Sequence, residues 1–203
     1  MNPVARTLAA LLLLSRAAAA QDSELAARLD KPTLIAVSAI IDSARLAKLP
    51  TKPLHDRALE GAAKGSDGPK IVIAVHQLSV RMGSAKRTLG SSATSEEIKL
   101  AASALELGVQ VRDITRLQSA AGKRGVTMPL FVLTDLIARE VPIPTATDLV
   151  LQLSRAGVKD GDLSIFQRNV RADIDRGADP TVAATTRARG LVLRNSTPSK
   201  PSE

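Results

Sequence analysis

Apolar residues recur along this chain at helical intervals. Ile71, Val75, Leu78, Met82 and Leu89 fall on one stripe, separated by steps of three, four or seven residues, the spacing of a helix that buries one face. Leu163, Phe166, Val170 and Ile174 repeat the pattern, and Ile98, Ala101, Ala102 and Leu105 do so with smaller side chains that permit close backbone approach. Read in this way, the chain predicts helices at 33–47, 52–64, 68–88, 95–107, 111–121, 129–139, 145–156, 160–176 and 180–189. Residues 71–75 (Ile-Val-Ile-Ala-Val) have strand-like chemistry, but the helical stripe that continues to Leu89 decides for helix.

Glycine and proline divide these stretches. Gly65, Gly90, Gly108, Gly125, Gly157, Gly177 and Gly190 each follow an apolar-periodic run, where a helix ends in a left-handed residue that glycine adopts without steric cost. Starts agree with stops. Thr94-Ser95-Glu96-Glu97 is a capping box, in which hydroxyl and carboxylate each satisfy an orphan N–H. Asp179-Pro180 sets a capping acid before a proline at the first helical position. The segments Ala58–Gly61, Ala104–Val109 and Leu153–Val158 share an Ala/Leu start, a polar step and a closing glycine, and Leu49-Pro50 and Val141-Pro142 match as links. The expected fold is therefore all-α: an array of short helical hairpins, solenoid-like, or an irregular helical bundle.

Composition narrows the core. Apolar residues make up 44% of the 203, yet aromatics are only 1%, namely Phe131 and Phe166, so the core is aliphatic. No cysteine is present, which removes disulfides, thiolate metal sites and cysteine nucleophiles. Residues 1–20 read as a secretory signal: Arg6, the apolar run Leu8–Leu14, then Ala18-Ala19-Ala20 for cleavage before Gln21. That run is too short to span a membrane, which takes about 20 apolar residues. A single all-helical domain is expected over 21–193, with a Ser/Pro/Lys-rich tail at 194–203 taken as disordered. An exported protein, periplasmic or extracellular, is the expectation.

Candidate chemistry is sparse. The two histidines, His55 and His76, belong to no His-Glu-x-x-His pattern, and solvent-facing or capping roles are expected of them. Gly122-Lys123-Arg124 resembles the end of a phosphate loop, but Arg124 stands where Ser or Thr is required. Gly61-Ala62-Ala63-Lys64-Gly65 is glycine-spaced but follows a helix, not a strand, so it fails as a dinucleotide fingerprint. No Gly-x-Ser-x-Gly or Ser-x-x-Lys element occurs. Among the acids Glu60, Asp135 and Asp148, Asp135 stands in the most apolar context, where an arginine partner on a neighbouring helix is expected. No catalytic residue, metal ligand or cofactor is assigned.

The formal charge is +8, and loss of residues 1–20 would remove Arg6 and Arg16 and no acid. Lys70, Gln77, Arg81 and Ser84 line one polar helix face, and Ala58–Lys70 combines a charged turn with several glycines. Glu60, Lys64, Lys70 and Arg81 are accordingly the candidate binding residues, with a Glu60–Lys64 surface ion pair as the plainer role for that turn. Nucleic acid is an unlikely partner without aromatics on which bases could stack.

The stretch Leu49-Pro50-Thr51-x-Pro53-Leu54-x-x-Arg57-Ala58-Leu59-Glu60-Gly61-x-Ala63-Lys64-Gly65 resembles a segment of uncharacterised secreted bacterial helical proteins. The resemblance continues through Pro129–Pro142 to Asp173-Ile174 and Gly177, and it implies a bacterial envelope setting without an activity. The function expected is a non-catalytic helical scaffold binding a protein or envelope component. The rivals are a carboxylate-based hydrolase of envelope polysaccharide, and a basic binder of anionic lipid or nucleic acid.

Overall fold

The computed structural model describes residues 23–196, so the expected signal segment and the residues 197–203 of the expected tail lie outside the described residues. Ten helices occur among the described residues, and no strand. The all-α expectation holds. They are α1 (23–28), α2 (Lys31–Leu46), α3 (Lys52–Ala63), α4 (Gly68–Leu89), α5 (Ser95–Glu106), α6 (Val111–Ala121), α7 (Thr127–Ala138), α8 (Ile143–Arg155), α9 (Asp160–Asp175) and α10 (Pro180–Ser196). A 3-10 turn, Gly122–Arg124, follows α6. None of the described helices is long and apolar enough to cross a membrane.

One link builds most of the hairpins. Helices α5 and α6, α7 and α8, α8 and α9, and α9 and α10 are each joined by four residues, as are α3 and α4. The second residue of each link is left-handed, at Gly65, Gly108, Glu140, Gly157 and Gly177. At Gly108 the glycine N–H donates to the Leu105 carbonyl at 3.1 Å and the Val109 N–H to that of Ala104 at 3.0 Å. The same pair of bonds closes α7 through Glu140 and Val141, and α8 through Gly157 and Val158. This arrangement satisfies carbonyls that a helix end otherwise leaves orphaned. The residue after the turn drops into the core: Val109, Val141 and Val158 are all buried. The α2–α3 link is one residue longer but uses the same turn, with Lys48 left-handed and Leu49 buried.

The described residues divide into two compact units, with the boundary between Gly83 and Ser84, inside α4. In the first unit, α2 is capped by Asp30, whose carboxylate accepts from the Thr33 N–H at 2.9 Å and the Thr33 hydroxyl at 2.8 Å. Gly68 starts α4 against this cap, where an added Cβ would lie 2.0 Å from Thr33 Oγ1.

In the second unit each helix packs on its second neighbour. Helices α5, α7 and α9 form one row, and α6, α8 and α10 form another, with α7 on α8 and α9 on α10 joining them. Equivalent positions are buried along a row: Ile98, Leu130 and Leu163 at the fourth residue of α5, α7 and α9, and Ala101, Leu133 and Phe166 at the seventh. In the other row Ile114, Ala146 and Ala183 occupy the fourth position of α6, α8 and α10. Helix α10 then departs from its row. Where α6 and α8 carry Leu117 and Leu149, then Ala121 and Leu153, it carries Thr186 and Gly190, both exposed. Helix α10 thus turns a more polar face to solvent at the positions where α6 and α8 bury apolar side chains.

Gly190 is thus interior to α10, not the stop its position suggested, and the helix continues to Ser196, past the expected end at 189. No left-handed turn occurs at Gly190, and the apolar pattern resumes at buried Leu191.

Polar staples fix the rows. The capping box forms as expected: the Glu97 N–H donates to Thr94 Oγ1 at 3.2 Å and the Thr94 N–H to Glu97 Oε2 at 2.9 Å. The other carboxylate oxygen of Glu97 accepts from the Val126 N–H at 3.2 Å, so one side chain ties the start of α5 to the start of α7. Burial pushes the Glu97 carboxyl up, but the N–H groups of Thr94 and Val126 and the Thr94 hydroxyl together hold it below the usual glutamate range. Arg124 donates from Nη1 to the Val158 carbonyl at 2.8 Å and from Nη2 to that of Ser154 at 2.7 Å, placing a cation on the negative end of α8.

Two outcomes follow from the links and the staple. Lys48→Gly and Glu140→Gly each raise stability by about 0.5–1 kcal/mol, because a side chain is strained in the left-handed region; urea midpoints check this, and a lowered midpoint in both would overturn it. Glu97→Ala costs about 1–2 kcal/mol at neutral pH. Because the folded carboxyl titrates below the free value of about 4.3, its contribution is complete above that pH and is lost as pH falls through the lower folded value. Thermal melts on the acid side should therefore show a shallower decline for Glu97→Ala than for the parent chain.

Candidate functional site

Three of the four candidate binding residues meet in the first unit. Arg57, Glu60, Lys64, Ser66 and Lys70 line a hollow of about 150 Å³ over Gly61, Ile71 and Ala74. The sequence folds there as a tight hairpin for a definite reason. An added Cβ at Gly61 would lie 2.8 Å from Ile71 Cγ1, so the missing side chain lets α3 close on α4. The glycine spacing that imitates a nucleotide fingerprint is thereby accounted for: Gly61 provides close approach and Gly65 provides the left-handed turn.

The charges of this hollow are mostly engaged with one another. Glu60 pairs with Lys64, the plainer role anticipated for it, and lies 3.8 Å from Arg57 Nε. The Lys64 ammonium, then its charge and that of Arg57, hold the Glu60 carboxyl below its ordinary range. Lys70 pairs with Asp67 at 2.9 Å. Arg81 does not join them. It stands on the same face of α4 as Lys70 but three turns further on, roughly 16 Å along the axis, and it is half-buried.

Other expected residues take structural roles. His55 is buried, its Nδ1 3.0 Å from the Thr51 carbonyl oxygen in the first turn of α3, whereas His76 is exposed. Asp135 does have an arginine partner, but at the C-cap of its own helix rather than on a neighbouring one: Arg139 Nε lies 2.9 Å away. The cross-helix contact comes from Gln167 of α9, whose amide donates to the same oxygen at 2.9 Å. Gln167 carries no sequence signal beyond a polar residue on an apolar face. Arg124 belongs to a helix cap rather than to a phosphate loop. No group of three or more potential metal ligands occurs among the described residues.

Sequence reasoning missed a second hollow, in the second unit. About 460 Å³ lies between the first turns of α6 and α8, lined by Gly108, Gln110, Arg112, Asp113, Arg116, Ile143, Pro144, Thr147 and Asp148. Arg116 Nη1 is 3.0 Å from Asp113 Oδ1. Only Asp148 of this set stood out in the sequence, because the grouping depends on α6 and α8 being row neighbours. A third concavity, about 250 Å³ between α9 and α10, borders the Asp173–Arg187 pair. There Arg187 donates to both carboxylate oxygens, at 2.6 and 2.9 Å, and holds the Asp173 carboxyl below the usual range.

Compared with protein-family models, with curated proteins and with solved structures, the chain matches none of them.

The Gly61 contact is directly testable. In an unobstructed helix interior Gly→Ala gains about 1 kcal/mol. Here Gly61→Ala should instead cost about 1–3 kcal/mol through overpacking. The loss should shrink in an Ile71→Ala background, read as a coupling energy from four urea curves.

Proposed function

We propose that the protein is a non-catalytic helical scaffold that works outside the cytoplasm and binds another protein or an envelope component. The observation that carries this reading is the repetitive hairpin packing of α5–α10, an architecture whose extended surfaces suit recognition. The export part rests on residues 1–20 of the sequence. The hollow lined by Arg57, Glu60, Lys64 and Lys70 is the contact we assign to the partner. The side chains of Glu60, Lys64 and Lys70 are long and exposed, and they can exchange intrachain ion pairs for intermolecular ones, since exposed pairs contribute no more than about 1 kcal/mol each.

Hydrolysis by paired carboxylates has one observation in its favour: Asp113 and Asp148 line the same hollow. Against it, Arg112 and Arg116 share that lining, and no acid there is set apart from cations in the apolar pocket that would suit a proton donor. A purely electrostatic binder of polyanions fits poorly with a surface on which Arg45, Lys52, Lys64, Lys70, Lys99 and Arg116 all have carboxylate partners three or four residues away.

The test is capture from envelope extract by the parent chain and by a Lys64→Glu/Lys70→Glu variant, at low and moderate salt. A defined partner kept by the parent chain at both salts and lost by the variant is the expected result. Retention of polyanions alone, washed away by salt, would replace this reading with one in which charge itself is the function.

A further inference from the structure

One face of the α9–α10 hairpin repeats the layout of surfaces that are buried elsewhere in the array. Two concavities of about 250 and 290 Å³ share Asp173 and Thr186 in their linings, and together they make one crease that follows α10 from Val182 to Arg194. That stretch is roughly 18 Å of helix. Ile165 and Asn169 are the sixth and tenth residues of α9, where α7 carries Val132 and Leu136. Thr186 and Gly190 are the seventh and eleventh of α10, where α8 carries Leu149 and Leu153. All four residues of α7 and α8 are buried, and all four of α9 and α10 are exposed. The crease therefore continues the surface on which the helices of this unit pack on one another.

Gly190 is not explained by packing inside the chain. It lies within α10 without a left-handed turn, where glycine weakens a helix relative to alanine. A Cβ built on it meets nothing within 4 Å, so no contact among the described residues requires the side chain to be missing. What the missing side chain provides is room for a second backbone to approach from outside, as Gly61 provides for α4 against α3.

The charges specify the partner. The charged residues lining the crease are Asp173, Arg176, Arg187 and Arg194. Asp173 is taken up by two of these arginines, Arg187 at 2.6 and 2.9 Å and Arg176 at 3.2 Å. Arg194 has no ion-pair partner among the described residues, and the lining as a whole carries an excess of positive charge. A second copy of this chain would bring the same excess to the contact, like charge against like. An acidic partner would not.

We infer that this crease docks an acidic amphipathic helix of another protein, about three turns long. Its small and apolar residues lie over Gly190, Ile165 and Val182, and its carboxylates turn toward Arg194 and Arg176. Such a helix extends the packing of the array by one more element. The contact is separate from the one assigned at Glu60 and Lys64, and neither depends on the other.

Fluorescence anisotropy with the full chain tests it. The probe is a fluorescein-labelled, lactam-stapled helix of about 15 residues with leucine and alanine on one face and glutamate along both flanks. A counterpart carries lysine for every glutamate. At about 0.15 M salt the acidic helix should saturate with a Kd of about 10–100 μM, and the lysine helix should bind at least about tenfold more weakly. Gly190→Leu and Arg194→Glu should each weaken binding about tenfold or more. Gly190→Ala should weaken it several-fold while raising the melting temperature, because alanine is the better helix former, so loss of binding is distinguished from loss of fold. Removal of residues 197–203 should leave the Kd unchanged. The inference is overturned if the acidic helix does not saturate by about 1 mM, if the lysine helix binds as tightly, or if the Gly190 and Arg194 variants bind unchanged. Tighter binding by the shortened chain would make residues 197–203 the occupant, and a dimer that Gly190→Leu dissociates would make it a second copy; either result also overturns it.

Discussion

The left-handed turn is the constraint on which the rest of this structure depends. Helices α3 and α5–α8 are only 11 to 13 residues long, and isolated helices of about a dozen residues are marginal in water, so each must be delivered promptly onto a neighbour. The four-residue link does this by ending one helix with its carbonyls satisfied, burying the next side chain, and starting another helix immediately. Val109, Val141 and Val158 each hold a turn to the core, so loop and core are one cooperative piece. At Glu140 and Lys48 the chain keeps this geometry without glycine, which shows that the packing of Val141 and Leu49 outweighs the backbone strain there.

An aliphatic core suits such an arrangement. Alanine at positions 101, 102 and 104 and at 183, 184 and 188 is fully or almost fully buried, and small side chains let helix axes approach. Specificity then has to come from elsewhere, since Leu, Ile, Val and Ala offer few distinct shapes. The polar staples meet that need. Glu97 joins α5 to α7, Asp135 and Gln167 join α7 to α9, and Arg187 locks α10 on α9 through Asp173. The first two define a register along a row and the third a register between rows, because a slipped helix would leave a half-buried carboxylate unmatched.

Much of the fold was legible because helix starts and stops are local chemistry. Thr94 and Glu97, Asp179 and Pro180, and the glycines that end α3, α5, α8 and α9 are each read from a few adjacent residues. Gly190 misled for the same reason: a glycine after an apolar run looks like a stop, and only the continuing contacts of Leu191 show otherwise. The grouping of Glu60, Lys64 and Lys70, which Arg81 further along α4 does not join, was legible because its members lie on one hairpin, close in sequence. The hollow at Thr147 was not, since its two halves belong to helices α6 and α8 with all of α7 between them, and nothing in the order of residues announces second-neighbour packing. Asp135 shows the same limit, its acceptor role being clear and its cross-helix donor, Gln167, invisible.

Second-neighbour packing also sets how the second unit acquires its structure. The substantial helix contacts there join elements no more than two apart, so no distant stretch of chain must be found before a helix can settle. Such a topology has a low mean sequence separation between touching residues, and chains of that kind fold quickly, with little entropy spent on closing long loops. As the polypeptide emerges end first, α5 has its lateral support once α7 is out, and α6 once α8 is out. Helices α9 and α10 then settle on supports already in place, α9 on α7 and α10 on α8 and α9.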